Sequence, residues 1–198
     1  MTSTTISAHA SIDTDRAITT LVTAFTADPV VRWLYPDPIR YAASFAGLAR
    51  LIGGDAFAAG TAAVSPRYEG TALWLAPDVP PDDTALVTHL ERSIDVDRRE
   101  AVLALLGQMA DYHPTEPVWY LPLIGVDPAH QGRGIGSELL RAGLTQADRD
   151  GLPAYLEAST ARNRELYERH GFEVVGELRA ADSPPLWPML RTTGGGRP

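Results

Sequence analysis

The 198-residue chain contains no cysteine and no lysine. The first absence removes disulfides, thiolate nucleophiles and sulfur-bound metals, and sets aside a disulfide-stapled secreted domain. The second removes a Schiff-base amine and the lysine of a nucleotide-binding phosphate loop; all 17 basic residues are arginines. Long apolar runs are missing too, since none approaches the roughly 20 residues of a membrane span. Met1 to Ser11 is polar and lacks the basic-then-apolar order of a signal peptide, so the sequence reads as a cytoplasmic protein that no membrane holds. The five histidines are scattered without metal-ligand spacing, and no metal is expected. A net charge of −8 repels phosphate backbones, which speaks against nucleic acid and mildly favours cationic partners.

What is present reads as one domain over residues 1–193, followed by a glycine-rich disordered tail, Gly194 to Pro198. Ser11 and Asp13 suit the N-cap of a helix with Ile18, Leu21, Val22 and Phe25 on its apolar face, ended by Asp28-Pro29. An aromatic-rich connection, Trp33 to Asp37, leads to a second helix after Pro38. Two β-like runs, Thr61 to Ser65 and Thr71 to Ala76, read as a hairpin. Pro77 to Asp83 reads as a loop, and Thr84 to His113 as helix with a break near Asp95–Asp97. Val118 to Val126 is a nearly unbroken apolar run, the pattern of a strand buried on both faces. Beyond it come a helix from Gly134 to Asp150, a strand Ala154 to Glu157, a short helix Arg162 to His170, and closing strands Phe172 to Val175 and Leu186 to Leu190. The fold class is therefore mixed α/β, with a sheet of six or seven strands flanked by helices.

The chemistry concentrates where Leu123-Ile124-Gly125-Val126 runs into Asp127-Pro-Ala-His-Gln-Gly-Arg-Gly-Ile-Gly-Ser137. Gly132, Gly134 and Gly136 let the backbone approach a ligand, and the unpaired N–H groups of the first helical turn point outward. Together with the helix dipole they suit a pyrophosphate, with Arg133 as an added phosphate contact. A dinucleotide fold competes for this motif, because Glu157 ends the next strand about 20 residues on, where a ribose-binding acid would sit. Two features oppose it. The spacing is G-x-G-x-G, and the motif lies too late in the chain for the rest of a doubly wound sheet.

On these residues the sequence resembles the GNAT superfamily of acyl-CoA-dependent N-acetyltransferases. Gln131, Gly134 and Gly136 match its Gln/Arg-x-x-Gly-x-Gly/Ala signature. The resemblance implies acetyl-CoA as the donor, its pyrophosphate held by Gln131, Gly132, Arg133, Gly134, Ile135, Gly136 and Ser137. It also implies that the Ile124-Gly125-Val126 backbone pairs with the pantetheine arm, in a central strand that carries a bulge and splays from its neighbour. Pro122 within that run fits, since proline cannot serve a regular ladder. Asn163 and Tyr167, four apart on one helical face, stand where the family places a coenzyme contact and the tyrosine that protonates the leaving thiolate. Within the superfamily, Glu116 to Leu121, Leu156 to Ser159 and Tyr167 to Phe172 resemble the puromycin N-acetyltransferase type.

An alkyl ammonium must lose a proton before it attacks. Glu157 is the candidate base, with His113 a rival. Phe25, Asp28, Trp33, Tyr35, Trp74 and Tyr120 are expected to shape the acceptor site, aromatic walls with a carboxylate for a small hydrophobic primary amine. Antibiotics and aminonucleosides are among the amines expected. A protein or peptide acetyltransferase and a non-catalytic acyl-CoA-binding module are the alternatives. The oligomeric state is open between monomer and homodimer.

Overall fold

The computed structural model describes residues 12–77 and 83–193. Met1 to Ser11, most of the Pro77–Asp83 loop and the Gly194–Pro198 tail therefore lie outside the described residues.

Three aspartates organise the helical opening. Asp13 caps α1 (Thr14–Ala24) by accepting from Arg16 N, and Ile18 and Leu21 are buried on its inner face. Asp28 caps α2 (Pro29–Leu34) through Val30 N and Val31 N, and Asp37 caps α3 (Pro38–Gly53) in the same way. In both, proline occupies the first turn, where its missing N–H costs nothing. The Trp33–Asp37 connection expected from sequence thus begins inside a helix, because cap and proline coincide just ahead of it. A short α4 (Asp55–Ala58) leads into the predicted hairpin, β1 (Ala63–Val64) and β2 (Gly70–Leu75). The next helical stretch is broken as expected, with α5 (Asp83–Ser93) and α6 (Arg99–Tyr112) separated by a 3-10 turn at Val96–Arg98.

The remainder comprises β3 (Trp119–Val126), α7 (Ile135–Asp150), β4 (Ala154–Ala158), α8 (Ala161–Glu168), β5 (Glu173–Val174) and β6 (Trp187–Arg191). Gly151 ends α7 at φ 66°, a left-handed cap whose N–H returns to the Ala147 and Asp148 carbonyls. The six strands form one mixed sheet in the order β1-β2-β3-β4-β6-β5, in which only β3 and β4 run parallel.

Two features of β3 create the site. Its register with β2 slips, because Leu73 faces Leu123 whereas Leu75 faces Tyr120, so three steps on β3 answer two on β2. This one-residue bulge at Leu121-Pro122 reverses the side-chain alternation. Trp119 and Leu121 pack on the α7 side, Leu123 on the α1–α3 side, and Ile124 and Val126 on the α7 side again. In addition, β3 and β4 pair only at Trp119↔Ala154 and Tyr120↔Tyr155, then separate. The splayed central pair implied by the resemblance is therefore present. The separation also corrects the expectation that β3 is buried on both faces. Trp119, Leu121, Leu123 and Gly125 are buried, while Tyr120, Pro122, Ile124 and Val126 are only partly covered, since the splay opens a cleft beside them.

Apolar cores fill both sides of the sheet. One packs Ile18, Leu21, Phe45, Leu73 and Leu123 beneath the opening helices; the other packs Trp74, Leu121, Leu139, Leu140, Leu156 and Met189 beneath α7 and α8. No helix among the described residues is long and apolar enough to cross a membrane.

Candidate active site

The splay of β3 from β4 continues into a cleft of about 530 Å³. Ile124, Gly125 and Val126 form one wall, the loop from His130 to Gly134 and the start of α7 form its floor, and Thr160, Arg162, Asn163, Leu166, Tyr167 and Arg169 form the opposite wall. Ala24, Phe25, Ala27 and Asp28, from the α1–α2 connection, close one end.

The floor has the chemistry of an anion cradle. Gly132 and Gly134 hold φ of 75° and 86°, conformations a side chain rarely adopts, and a Cβ at either would project into open space. Gly134 is the N-cap of α7 and supplies no side-chain oxygen, so no cap claims the N–H groups of Ile135, Gly136 and Ser137. A sixteen-residue helix thus presents its positive end to the cleft. These residues fit the diphosphate portion of acetyl-CoA, and the open edge of β3 fits an extended arm. Gln131 Nε2 donates to the Val126 carbonyl at 3.1 Å and Arg162 Nη1 to Gln131 Oε1 at 3.3 Å, so α8 is tied to the loop across the cleft mouth.

Two of the residues named from sequence have other roles here. Arg133 is exposed, outside the cleft lining, and reaches back to the Ala129 carbonyl at 3.4 Å; the arginines that line the cleft are Arg162 and Arg169. Gly125 touches the cleft but also serves packing, because a Cβ there would meet Ala24 Cβ at 2.6 Å. The missing side chain lets α1 lie against β3.

On the far wall, Thr160 caps α8 by accepting from Asn163 N at 3.1 Å, placing Asn163 and Tyr167 toward the cleft. Tyr167 is 5% exposed and stacks edgewise on Phe172. Burial, then the nearby charge of Asp28, holds its phenol above the ordinary value, so it is protonated at neutral pH.

Alternate residues of β4 share one face. Along it stand Tyr155, Glu157 and, just beyond the strand, Ser159. Glu157 accepts from Tyr120 Oη at 2.9 Å. Burial raises its carboxyl to about 7, against the opposing hydrogen bond from Tyr120. The Tyr155 hydroxyl lies buried beside it without a hydrogen bond of good geometry. The His113 ring packs edge-on against both tyrosines, 5.0 Å from each, and burial lowers its pKa. Glu157 and His113 therefore belong to one half-buried polar cluster adjoining the cleft; neither is in the cleft wall itself. Ser159 donates to Asp28 Oδ2.

Of the six acceptor residues expected from sequence, Phe25 and Asp28 line the cleft and Tyr120 joins the Glu157 cluster. The other three do not line the cleft. Trp33 is buried, its Nε1 donating to Asp182 Oδ1 at 2.9 Å. Tyr35 is fully buried, its hydroxyl 2.9 Å from Ser93 Oγ. Trp74 is fully buried beneath Gly143 of α7, on the opposite side of the sheet from α1. Apolar area gains more from complete burial than from a wet cleft wall, and composition alone does not distinguish the two fates. Thr160 was legible as a helix cap, whereas Arg162 and Ser159 reach the site only through the fold. Among the described residues no group of three acidic or histidine side chains could hold a metal ion.

The acetyltransferase (GNAT) family matches residues 72–172, just over half the chain. An uncharacterized N-acetyltransferase of Schizosaccharomyces pombe is 29% identical over 202 aligned positions, spanning 90% of this chain and 79% of that protein. Among solved structures, a histone acetyltransferase HPA2 and related acetyltransferase of Corynebacterium glutamicum superimposes with a TM-score of 0.70 at 26% identity, over 98% of both chains. A Drosophila melanogaster polyamine N-acetyltransferase, which forms N-acetylagmatine, superimposes with a TM-score of 0.60 at 14% identity, over 91% of this chain and 95% of that one. That last likeness is one of fold.

Proposed function

We propose that this chain, which belongs to the acetyltransferase (GNAT) family and is an acyltransferase, transfers acetyl from acetyl-CoA to a primary amine of a small molecule. The observation that carries the reading is the meeting, in one cleft, of the uncapped N-terminus of α7, the open edge of β3 and the buried, protonated Tyr167.

When bound, acetyl-CoA supplies an activated acyl thioester. The N–H groups of Ile135, Gly136 and Ser137, with the Gln131–Gly134 backbone and Asn163, bind and align its diphosphate, and the β3 edge at Ile124 and Val126 orients the arm. Glu157, with a pKa near neutrality, accepts a proton from the acceptor ammonium, directly or through water, with His113 available to carry it outward. The N–C bond then forms as the C–S bond breaks. Tyr167 gives its phenolic proton to the departing sulfur, and the second proton lost by nitrogen on amide formation balances it. The burial that raises the phenol also raises the proton affinity of a thiolate expelled beside it, which keeps donor and acceptor matched.

The walls at the α1–α2 end, Ala24, Phe25 and Ala27 with one carboxylate, suit a compact amine with an apolar body. A thiol-release assay with acetyl-CoA over a panel of alkylamines, diamines, puromycin and a lysine peptide tests this. Turnover of a small amine above that of the peptide is expected. Release only with the peptide would replace this reading by a protein acetyltransferase, as the name of the Corynebacterium relative suggests.

A further inference from the structure

Asp28 holds a position that a helix cap alone does not require. It sits between α1 and α2, yet its second carboxylate oxygen crosses to Ser159, 131 residues away at the end of β4. The first oxygen, Oδ1, accepts from Val30 N at 3.0 Å and Val31 N at 3.1 Å. A carboxylate has about four lone-pair positions. Two on Oδ1 and one on Oδ2 are occupied, so one direction on Oδ2 stays open. Asp28 is the one carboxylate among the described residues lining the cleft, and it stands near Tyr167 at the apolar end, beside Ala24, Phe25 and Ala27. The arginine tied to the glycine loop, Arg162, belongs to the other end. Arg162 thus stands at the anion cradle, and the carboxylate of Asp28 stands near Tyr167 at the apolar end.

We infer that the open lone pair of Asp28 Oδ2 receives an N–H of the acceptor's ammonium, and that Ser159 is the positioning residue that holds the carboxylate across the splay. This rests on the amine-acetyltransferase reading and deepens it: the preferred acceptor is a cation at the end that enters. Three fixed donors orient the carboxylate before the ligand arrives, so little reorganisation opposes binding. Phe25, packed 5.4 Å from Phe45, offers the apolar body of the amine a rigid face.

The test uses the best alkylamine of the panel and its own N-acetyl product, which keep one body and differ in charge. Dissociation constants of both are measured by titration calorimetry on the CoA-loaded wild type, Asp28→Asn, Ser159→Ala and Ser159→Thr. Asparagine keeps the cap acceptor, so α2 survives the change. The expected result is a 10- to 100-fold loss of amine affinity in Asp28→Asn, roughly the range of a charge-assisted hydrogen bond, with product affinity within about twofold of wild type. Ser159→Ala loses part of the amine affinity, and Ser159→Thr restores it. Equal loss for amine and product, or none for either, overturns the anchor. A wild type that binds acetyl-CoA but turns over no amine of the panel overturns the underlying reading instead.

Discussion

Tyr120 on β3 donates its hydroxyl hydrogen to Oε2 of Glu157 on β4 at 2.9 Å, at the last rung before the two strands part. The bond spans the apex of the splay. Its carboxylate is the one whose proton affinity burial brings to about 7, in the range where a base takes and returns a proton near neutrality.

A pH dependence follows, with opposite signs for activity and stability. A carboxylate serves as a base only when ionised, so if Glu157 is the base, kcat/KM for the amine should rise with pH through an inflection near 7, and Glu157→Gln should abolish that limb while lowering the plateau. The folded value lies above the ordinary 4.5, so the folded state holds this proton more tightly than the unfolded chain. The stabilising contribution is complete below 4.5 and is lost as pH rises through about 7. Melting temperatures of wild type and Glu157→Gln, compared from pH 4.5 to 8, should therefore diverge upward in favour of the variant. Parallel curves and an unchanged activity limb would remove Glu157 as the base.

Tyr167→Phe keeps the ring that packs on Phe172 and removes only the hydroxyl. Turnover should fall on the order of 100-fold, as for loss of a positioned acid, with acetyl-CoA affinity within about threefold of wild type. Single-turnover thiol release and coenzyme titration separate the two effects. Equal turnover in both proteins would exclude the phenol as the proton donor.

Gly134→Asp places a side chain at φ 86° and a negative charge at the positive end of α7. Both changes oppose an anion in the cradle, and acetyl-CoA affinity should fall at least 100-fold. A Cβ at Gly134 meets nothing within 4 Å, but the left-handed φ strains any side chain. Gly134→Ala, which carries that strain without the charge, is the control: it should lose less acetyl-CoA affinity than Gly134→Asp at a similar melting temperature. Retained affinity would mean that the diphosphate lies elsewhere.

Gly143→Ala tests the opposite core. The added Cβ would lie 2.0 Å from the Trp74 ring, which is fully buried. Overpacking of this kind costs about 1–3 kcal/mol, read as a lower denaturation midpoint with KM for acetyl-CoA unchanged. An altered KM for the amine instead would return Trp74 to the acceptor site.

The sequence by itself determined most of the elements and the glycine loop that faces the cleft. The cap at Asp13, the glycines at 132 and 134 and the four-residue spacing of Asn163 and Tyr167 act over one or two helical turns, where local sterics and hydrogen bonding suffice. Even the bulge was marked locally, by Pro122. The tertiary structure alone decided which aromatic residues line the cleft. Trp33, Tyr35 and Trp74 carry the same composition as a binding wall, yet helix packing buries them, while Phe25 and Asp28 remain at the opening. It also decided the partners of the carboxylates: Asp28 meets Ser159 and Glu157 meets Tyr120 across 131 and 37 residues. Such pairs are set by how the α1–α2 connection and β3 pack beside β4, which no local pattern encodes.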